Sequence, residues 1–306
     1  MSTSAGMRVA AYRGYVPSMD VPTERALAAV AAVARSHGLP VDRMRVVRDL
    51  TNVLVHLEPA PVVARVPITL ARFRDPGWFA QIIDLARFLA DAGAPVAPPT
   101  ADVDPGPHAH GELVVELWSY VENDPARFDA DAAGSSLREL HEALSRSSAP
   151  LPRFDRLEEV GRLLDSLTPS DSASDEDLQL LRAAQTRLSG EPVPDGVPLH
   201  GDAHFRNILW SARGPLWSDL ENACHGPVEY DLAALVFRGM DGTDRALAAY
   251  GDHDVEQIER LVPFLTFFLA AWTIAVVERA RRESAVGRTE LRRRLDSVRA
   301  WLVANS

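Results

Sequence analysis

Strand-forming residues are concentrated in the first 120 positions of this chain, which favours a fold with a sheet-containing part followed by a mostly helical part. Short β-branched runs broken by turn residues predict an antiparallel meander. The predicted strands are 43–48, 52–57, 61–66 and 112–119. Helical spacing predicts a helix at 23–37, capped by Thr23, and another at 76–92. The later predicted helices are 129–145, 154–167, 175–189, 255–282 and 289–303.

A chain of 306 residues is too long for one hydrophobic core, since about 150 residues per domain is the usual expectation. The change from strands to helices predicts a first, sheet-containing lobe at 21–120 and a helical lobe at 121–306. Residues 1–20 have no apolar core of the signal-peptide type and are predicted to form a flexible arm. The sequence therefore predicts an α+β protein with two lobes.

The composition argues against several kinds of site. A single cysteine, Cys224, excludes an intramolecular disulfide and a cysteine-based zinc site, so a cytoplasmic location is expected. The net charge of −11 argues against nucleic-acid binding, whereas an acidic surface suits cationic partners. The chain contains arginine but no lysine, so a basic side chain that contacts phosphate here is a guanidinium.

One apolar run, Leu261–Val277, raises the question of a membrane segment. It contains Pro263, is shorter than the roughly 20 residues that a bilayer requires, and continues into the charged sequence at 278–282. A buried helix is the better prediction, and no membrane association is expected.

Polar residues with an informative spacing occur around position 202. Asp202 has Asn207 five positions later, and Asp219 follows a predicted hairpin at 208–218. The Asp202 carboxylate can accept or orient the proton of a substrate hydroxyl. Asn207 and Asp219 offer the hard oxygen ligands that Mg²⁺ prefers, and the hairpin is expected to bring them together. Glu221 is a further candidate metal ligand, with a structural role as the equal alternative.

Neighbouring polar residues are assigned structural roles. His200 is predicted to hydrogen-bond within the loop, and Asp231 to brace that loop by accepting backbone N–H bonds. His141 is predicted to be a packed residue at a helix end. A zinc site at His204 is disfavoured because the loop supplies no third ligand at a suitable spacing.

Several motifs, in this order along the chain, resemble the aminoglycoside phosphotransferase and choline kinase family of small-molecule kinases. They are GAPVAP at 93–98, LRELH at 137–141, HGDAHFRNIL at 200–209, WSDLE at 217–221 and GPVEYDLA at 226–233. The resemblance extends from about Arg43 to Ala234. It implies a bilobal protein-kinase-like fold, with a small antiparallel-sheet N-terminal lobe that binds nucleotide and a mostly helical C-terminal lobe that carries the catalytic and acceptor-binding residues.

The resemblance also implies an activity, namely Mg²⁺-dependent transfer of the γ-phosphate of ATP or GTP to a hydroxyl group of a small molecule. Asp202 is then the catalytic base, and Asn207 and Asp219 hold the metal. Arg65 occupies the strand position where such kinases place a phosphate-binding lysine, and its planar guanidinium can bind phosphate through two N–H groups. The other expected nucleotide-binding residues are Thr51, Trp118 and Tyr120.

Two positions depart from the family pattern. The helix position where the family has a glutamate partner for the phosphate-binding cation is Ile82 here. The ion pair is then missing unless Asp84, Glu112 or another carboxylate replaces it. The predicted phosphate-binding turn, Asp49–Asn52, contains no glycine, so it must rely on its backbone N–H groups and the Thr51 hydroxyl.

Three functions remain open on the sequence alone. The acidic protein favours a cationic, aminoglycoside-like antibiotic as the acceptor, which would make the activity one of antibiotic resistance. Within the same chemistry, the alternative acceptor is a primary or secondary metabolite, such as an amino alcohol, a sugar or a biosynthetic intermediate. The third function is a kinase-like protein that binds a ligand without turnover, as Ile82 and the glycine-free turn suggest.

Overall fold

The computed structural model describes residues 22–69, 73–74, 76–237, 241–279 and 285–305. The predicted flexible arm at 1–20 lies outside the described residues. Within the described part, the chain divides into two compact units. The first contains the residues up to Phe128, Arg146–Ala149 and Leu209–Glu221, and the second contains Asp129–Ser145, Pro150–Ile208 and the residues from Asn222 onward.

The helices and strands follow the predicted order. The strands are β1 (Val41–Asp49), β2 (Asn52–Pro59), β3 (Val62–Pro67), β4 (His108–His110), β5 (Leu113–Ser119), β6 (Val197–Leu199), β7 (Ile208–Ser211), β8 (Gly214–Trp217) and β9 (Cys224–Gly226). The helices are α1 (Thr23–Ser36), α2 (Pro76–Asp91), α3 (Ala130–Leu144), α4 (Arg156–Ser166), α5 (Asp175–Leu188), α6 (Val228–Val236), α7 (Thr243–Tyr250), α8 (Val255–Arg279) and α9 (Ala285–Ala304). The predicted helices and strands are present among the described residues, and residues 280–282 of the predicted helix 255–282 lie outside them. The sequence analysis did not predict β4, β6, β9, α6 or α7.

A five-stranded antiparallel sheet with the order β1-β2-β3-β5-β4 forms the centre of the first unit. Helix α1 buries a face of small apolar residues against it, because Ala26, Ala29 and Val30 share one core with Val55 and Val62 of the strands. Each fully buried valine contributes about 1.5–3 kcal/mol of burial free energy. The apolar spacing of the sequence therefore accounts for this packing.

The predicted cap of helix α1 is wrong. Pro22 occupies the N-cap position without a side-chain hydrogen bond, and Thr23 is the first helical residue. The Thr23 hydroxyl donates instead to the carboxylate of Asp49 at the end of β1. As the first helical residue, Thr23 lies one position beyond the N-cap, where a side-chain oxygen would accept a backbone N–H of the first turn.

The predicted hairpin between Asn207 and Asp219 is present as β7 and β8. Trp217, near its end, is completely buried. The Trp217 backbone accepts a hydrogen bond from Ala97 N–H and donates one to the Pro95 carbonyl, both at 2.8 Å. These bonds fix the hairpin within the first unit, two residues before Asp219.

The second unit is mostly helical, and its longest helix is α8. This helix is long and apolar enough to cross a membrane by length and composition, with a mean hydropathy of 1.9 in its apolar window. However, 72% of that window is buried inside the protein. The prediction of a buried helix at Leu261–Val277 is therefore confirmed, and α8 is a core element of the second unit.

Candidate active site

The loop that carries Asp202 is held through its backbone N–H groups. Asp231 of α6 is completely buried and accepts hydrogen bonds from His200 N–H at 2.8 Å and Gly201 N–H at 2.9 Å. His141 Nε2 on α3 lies 3.0 Å from the same carboxylate, and His141 Nδ1 lies 3.0 Å from the Tyr250 hydroxyl. The predicted bracing role of Asp231 is confirmed, whereas His141 is a hydrogen-bonded partner and not only a packed residue.

The electrostatics of Asp231 agree with this role. Burial alone would raise its pKa, but the hydrogen bond with His141 and the positive potential of its neighbours keep the pKa of Asp231 below its ordinary value. The carboxylate is therefore ionised in the folded protein at neutral pH. An ionised carboxylate accepts backbone N–H bonds more strongly than a neutral acid does.

Asp202 and Asn207 are joined by hydrogen bonds within the same unit. Asn207 Nδ2 donates to the Asp202 carbonyl at 2.9 Å and to Asp202 Oδ2 at 3.2 Å. His200 Nδ1 accepts from Asp202 N–H at 3.2 Å, which confirms the predicted bond within the loop. His204 Nε2 lies 3.6 Å from Asp202 Oδ2. The candidate base is thus oriented by a network of its own loop.

Arg65 lies in a buried cluster of carboxylates in the first unit. Its Nη1 is 2.7 Å from Glu116 Oε2, and its Nη2 is 3.1 Å from Asp219 Oδ1 and also contacts the Glu221 carboxylate. Arg65 is 7% exposed and Glu116 is 0% exposed. The Asn52 side chain lies within hydrogen-bonding distance of both Arg65 and Glu221. The structure therefore groups Arg65 with two of the three predicted metal ligands.

Glu116 supplies the carboxylate partner that the Ile82 position lacks. Ile82 is buried among apolar residues, Asp84 pairs with Arg87 on the surface, and Glu112 pairs with Arg25. Glu116 and Arg65 instead occupy directly opposite positions on the paired strands β5 and β3. Opposite residues of an antiparallel pair lie close enough for their side chains to interact. A bond between two strands thus replaces the expected bond between a strand and a helix.

The Arg65 cluster carries more negative than positive charge. One guanidinium faces three carboxylates, those of Glu116, Asp219 and Glu221. Burial raises the pKa of Glu116, although the Arg65 guanidinium opposes that effect. With all three carboxylates ionised, two negative charges are not balanced by Arg65, so a further cation would stabilise the cluster.

Asp219 also has an unusual backbone. Its φ of 69° is the only positive φ of a non-glycine residue in the described part of the chain. This left-handed conformation costs about 1–2 kcal/mol for an L-residue, although aspartate tolerates it better than most. Such outliers persist where the surrounding structure over-determines them, and they cluster at functional sites.

The other predicted nucleotide-binding residues have different surroundings. Trp118 belongs to the Arg65 cluster, because its indole N–H donates to Glu116 Oε2 at 3.3 Å. Tyr120 stacks on His56, with ring centroids 3.8 Å apart, and is not among the partners of Arg65. The Thr51 carbonyl accepts from Ile68 and Thr69 N–H in the turn between β1 and β2. The roles of Thr51, Trp118 and Tyr120 in nucleotide binding stay predictions.

The chain matches the sequence profile of a known protein family. The profile described as the phosphotransferase enzyme family matches residues 43–264, which is more than half of the chain. The chain belongs to this family. It is therefore a small-molecule phosphotransferase, with the α+β, protein-kinase-like fold that the sequence predicted.

Solved structures resemble this phosphotransferase along most of its length. The choline kinase LicA from Streptococcus pneumoniae is 15% identical with a TM-score of 0.65, over 90% of this chain and 99% of that one. The amicoumacin kinase hAmiN is 13% identical with a TM-score of 0.65, over 89% and 92% of the two chains. A GDP and kanamycin complex of an aminoglycoside phosphotransferase is 15% identical with a TM-score of 0.58, over 89% and 98%. At these identities the likeness shows the shared fold. The search of curated protein sequences gives no significant match.

Sequence reasoning about this phosphotransferase missed Glu116 and the partnership of His141 with Asp231. Glu116 is 51 residues from Arg65, and only the register of β3 against β5 places the two side chains opposite each other. One signal was available, because Glu116 interrupts the apolar strand Leu113–Leu117. A charged residue inside such a strand requires a buried partner.

Proposed function

We propose that this phosphotransferase moves the γ-phosphate of ATP or GTP, with Mg²⁺, to a hydroxyl group of a small molecule. The main support for the proposal is the hydrogen-bonded environment of Asp202. Its loop is held by the buried Asp231 carboxylate, and its side chain is hydrogen-bonded to Asn207. This order and spacing match the catalytic loop of kinases, where the aspartate accepts the proton of the attacking hydroxyl.

The reaction requires little covalent chemistry from the protein. The acceptor oxygen forms a bond to the γ-phosphorus, the bond from that phosphorus to its bridging oxygen breaks, and the nucleoside diphosphate leaves. Asp202 accepts the proton of the acceptor hydroxyl. A positioned base of this kind contributes about 10²–10⁴-fold to the rate. The hydrogen bonds that orient Asp202 are therefore part of the proposed mechanism.

The residues present fit a divalent cation. The Arg65 cluster has a surplus of negative charge, and Asn207, Asp219 and Glu221 provide the hard oxygen atoms that Mg²⁺ prefers. Mg²⁺ is commonly held by one or two carboxylates together with substrate phosphates. The described residues contain no group of three or more His, Cys, Asp or Glu side chains arranged as a metal site. When bound, the ion would neutralise charge on the phosphate oxygens.

Arg65 is the proposed phosphate-binding cation. Its guanidinium has Glu116 as a fully buried partner, Glu221 as a second buried partner and Asp219 as a partly exposed one. We assign Glu116 the task of retaining Arg65 when phosphate competes with the other two carboxylates. Thr51, Trp118 and Tyr120 complete the proposed nucleotide-binding set. The turn at Thr51 would contribute its backbone N–H groups in place of a glycine-rich loop.

The proposed acceptor is a cationic, aminoglycoside-like antibiotic, which fits the net charge of −11. The structures that resemble this chain include complexes described as containing kanamycin or spectinomycin. The choline kinase LicA has the same 15% identity as the kanamycin complex and a higher TM-score, 0.65 against 0.58, so an amino alcohol or another metabolite is the second candidate. Both classes combine a hydroxyl group with a positive charge. The proposed location of the enzyme is the cytoplasm.

Nucleotide consumption measured against a panel of acceptors tests the proposal. The panel contains aminoglycosides, spectinomycin, choline, ethanolamine and neutral sugars, each with Mg²⁺ and either ATP or GTP. We expect one acceptor class to increase consumption well above the rate without acceptor, with one phosphorylated product formed per nucleotide consumed. Chelation of the metal should abolish this increase.

A second measurement, thermal unfolding, separates the proposed phosphotransfer from ligand binding without turnover. The unfolding temperature is measured with Mg²⁺ and each nucleotide at millimolar concentration. A ligand at 100 times its Kd stabilises the folded state by about 2.7 kcal/mol. No acceptor-dependent consumption together with no nucleotide-linked stabilisation would contradict the proposal and favour a binding protein that does not use nucleotide.

A further inference from the structure

Arg156 is a buried cation that the proposed chemistry does not use. It is the first residue of helix α4 and is 3% exposed. A positive charge at a helix N-terminus opposes the helix dipole, so the helix itself does not favour arginine there. Burial of the charge adds a desolvation cost of several kcal/mol before any pairing. The position must therefore be explained by the partners of the guanidinium.

Three aromatic rings surround the Arg156 guanidinium. Its Cζ lies 4.8 Å from the ring centroid of Phe268, 5.4 Å from that of Tyr230 and 5.6 Å from that of Phe154. Glu159, one turn later in α4, accepts from Arg156 Nη1 at 2.9 Å and balances its charge. The rings exclude water and the carboxylate fixes one edge of the guanidinium, so the direction of its other edge is set.

The other edge of the guanidinium points at two backbone carbonyls. Arg156 Nη2 donates to the Gly201 carbonyl at 2.6 Å and lies 3.4 Å from the Asn222 carbonyl. Gly201 directly precedes Asp202 in the chain, and Asn222 directly follows Glu221. Because Asp231 holds the N–H groups of this loop, the loop is bound from both sides, by an anion at its donors and by a cation at its acceptor.

The packing at Gly201 supports the same conclusion. Its φ is 80°, and a Cβ atom at this position would lie 1.9 Å from the Asn222 carbonyl oxygen and 2.9 Å from Arg156 Nη2. Only glycine allows the two carbonyls to approach the guanidinium this closely. The loop conformation and the arginine are therefore matched to each other.

We propose that Arg156 is a positioning residue for the proposed reaction, which holds the Gly201 carbonyl and thereby sets the orientation of Asp202. The inference rests on the proposed function, since Asp202 has a catalytic role only there. Misplacement of a catalytic group by about 1 Å can cost about 10²-fold in rate. Loss of Arg156 should therefore reduce kcat while it leaves the binding of nucleotide nearly unchanged.

The test compares Arg156→Met with a matched control, Arg292→Met. Arg292 also pairs with a buried carboxylate, Asp177, and also donates to a backbone carbonyl, that of Ser172. We expect Arg156→Met to lower kcat by about 10–100-fold with KM for the nucleotide changed by less than about threefold. The control should keep kcat within about twofold, even where its Tm falls.

Two further variants keep the test decisive if Arg156→Met folds poorly. Arg156→Lys retains the charge and a donor nitrogen, so it should restore part of kcat. The double variant Arg156→Met with Glu159→Leu replaces the buried pair by apolar side chains of similar volume, a change that often leaves stability nearly unaltered. We expect it to keep a Tm near that of the parent protein and still to lose kcat. Unchanged kcat in this double variant would overturn the proposal.

Amide hydrogen exchange separates this inference from the proposed function, because it requires no substrate. Exchange at His200–Asp202 should rise selectively in Arg156→Met and stay at the parental level in Arg292→Met. A selective rise without any phosphotransfer by the parent protein would remove the proposed function but retain the brace. Equal exchange in both variants, or an equal loss of kcat in both, would show a general structural role and overturn the inference.

Discussion

The Asp202 loop and the Arg65 cluster handle buried charge in different ways. In the second unit, the Asp231 carboxylate faces two backbone N–H groups and His141, and Arg156 faces Glu159 and the Gly201 carbonyl. In the first unit, one guanidinium faces three carboxylates. The buried charged groups that hold the loop find their hydrogen-bonding partners within the protein, whereas the cluster needs a further cation for balance.

The two regions therefore contribute differently to the proposed reaction, since the loop orients the base and the cluster binds the metal and phosphates. The hydrogen-bonded network of the Asp202 loop keeps one geometry and can orient a base before any substrate binds. An unbalanced cluster exchanges partners when a metal and phosphates arrive, because new charges compete for Asp219, Glu221 and Arg65. We therefore expect substitution of the bracing carboxylate Asp231 to affect folding, and substitutions in the cluster to affect ligand binding.

The largest expected effect on stability is that of Asp231→Asn. The amide can accept only one of the two backbone N–H bonds without placing its own N–H₂ against the other, and it removes the charge beside His141. We expect the free energy of unfolding to fall by about 3–5 kcal/mol, measured in urea. Asp165→Asn is the control, because the exposed pair of Asp165 with Arg182 should contribute less than about 1 kcal/mol. Equal losses in the two variants would contradict the brace.

Acid should reduce the stabilisation that Asp231 provides. Its pKa in the folded protein lies below the ordinary value of 3.8, so its contribution is fully present above pH 3.8 and is lost as the pH falls through the lower, folded value. The difference in unfolding free energy between the parent and Asp231→Asn should therefore be constant from pH 7 to pH 5 and shrink below pH 3.8. A difference that grows on acidification would show that the sign of the shift is wrong.

The smallest expected effect on stability is that of Glu221→Gln, in the unbalanced cluster. The guanidinium keeps Glu116 and Asp219 as partners, and the surplus negative charge decreases. We expect the free energy of unfolding without ligands to change by less than about 1 kcal/mol, since no buried charge is left unpaired. In contrast, the stabilisation by Mg²⁺ with nucleotide, about 2.7 kcal/mol at 100 times Kd in the parent, should decrease. A loss as large as that of Asp231→Asn would contradict the difference between the regions.

Much of the fold could be predicted from local sequence patterns. The strands of the meander, the hairpin after Asn207 and the buried helix α8 follow from residue spacing and turn residues. Helix α6 was missed because it is buried on nearly all sides, with six of its nine residues buried, and so lacks an amphipathic pattern. The grouping of Leu209–Glu221 with the first unit depends on the bonds of Trp217 with Pro95 and Ala97, which no local pattern reveals.

The candidate site could be predicted where its residues are close in sequence. Asp202, Asn207 and the bracing by Asp231 came from the order of neighbouring motifs. Glu116 and Arg156 could not be predicted in the same way, because their partners are 51 and 45 residues away in the chain. Their roles depend on strand register and on the packing of α4, which are properties of the tertiary structure.

The kinetics of Asp202→Asn test whether Asp202 is the catalytic base. We expect kcat for the acceptor found in the panel to fall by about 10²–10⁴-fold, since the amide cannot accept the hydroxyl proton. The urea midpoint and the stabilisation by Mg²⁺ with nucleotide should stay at the parental values, because the substitution leaves the Arg65 cluster intact. Near-normal turnover by Asp202→Asn would contradict the assignment of Asp202 as the base and, with it, the proposed mechanism.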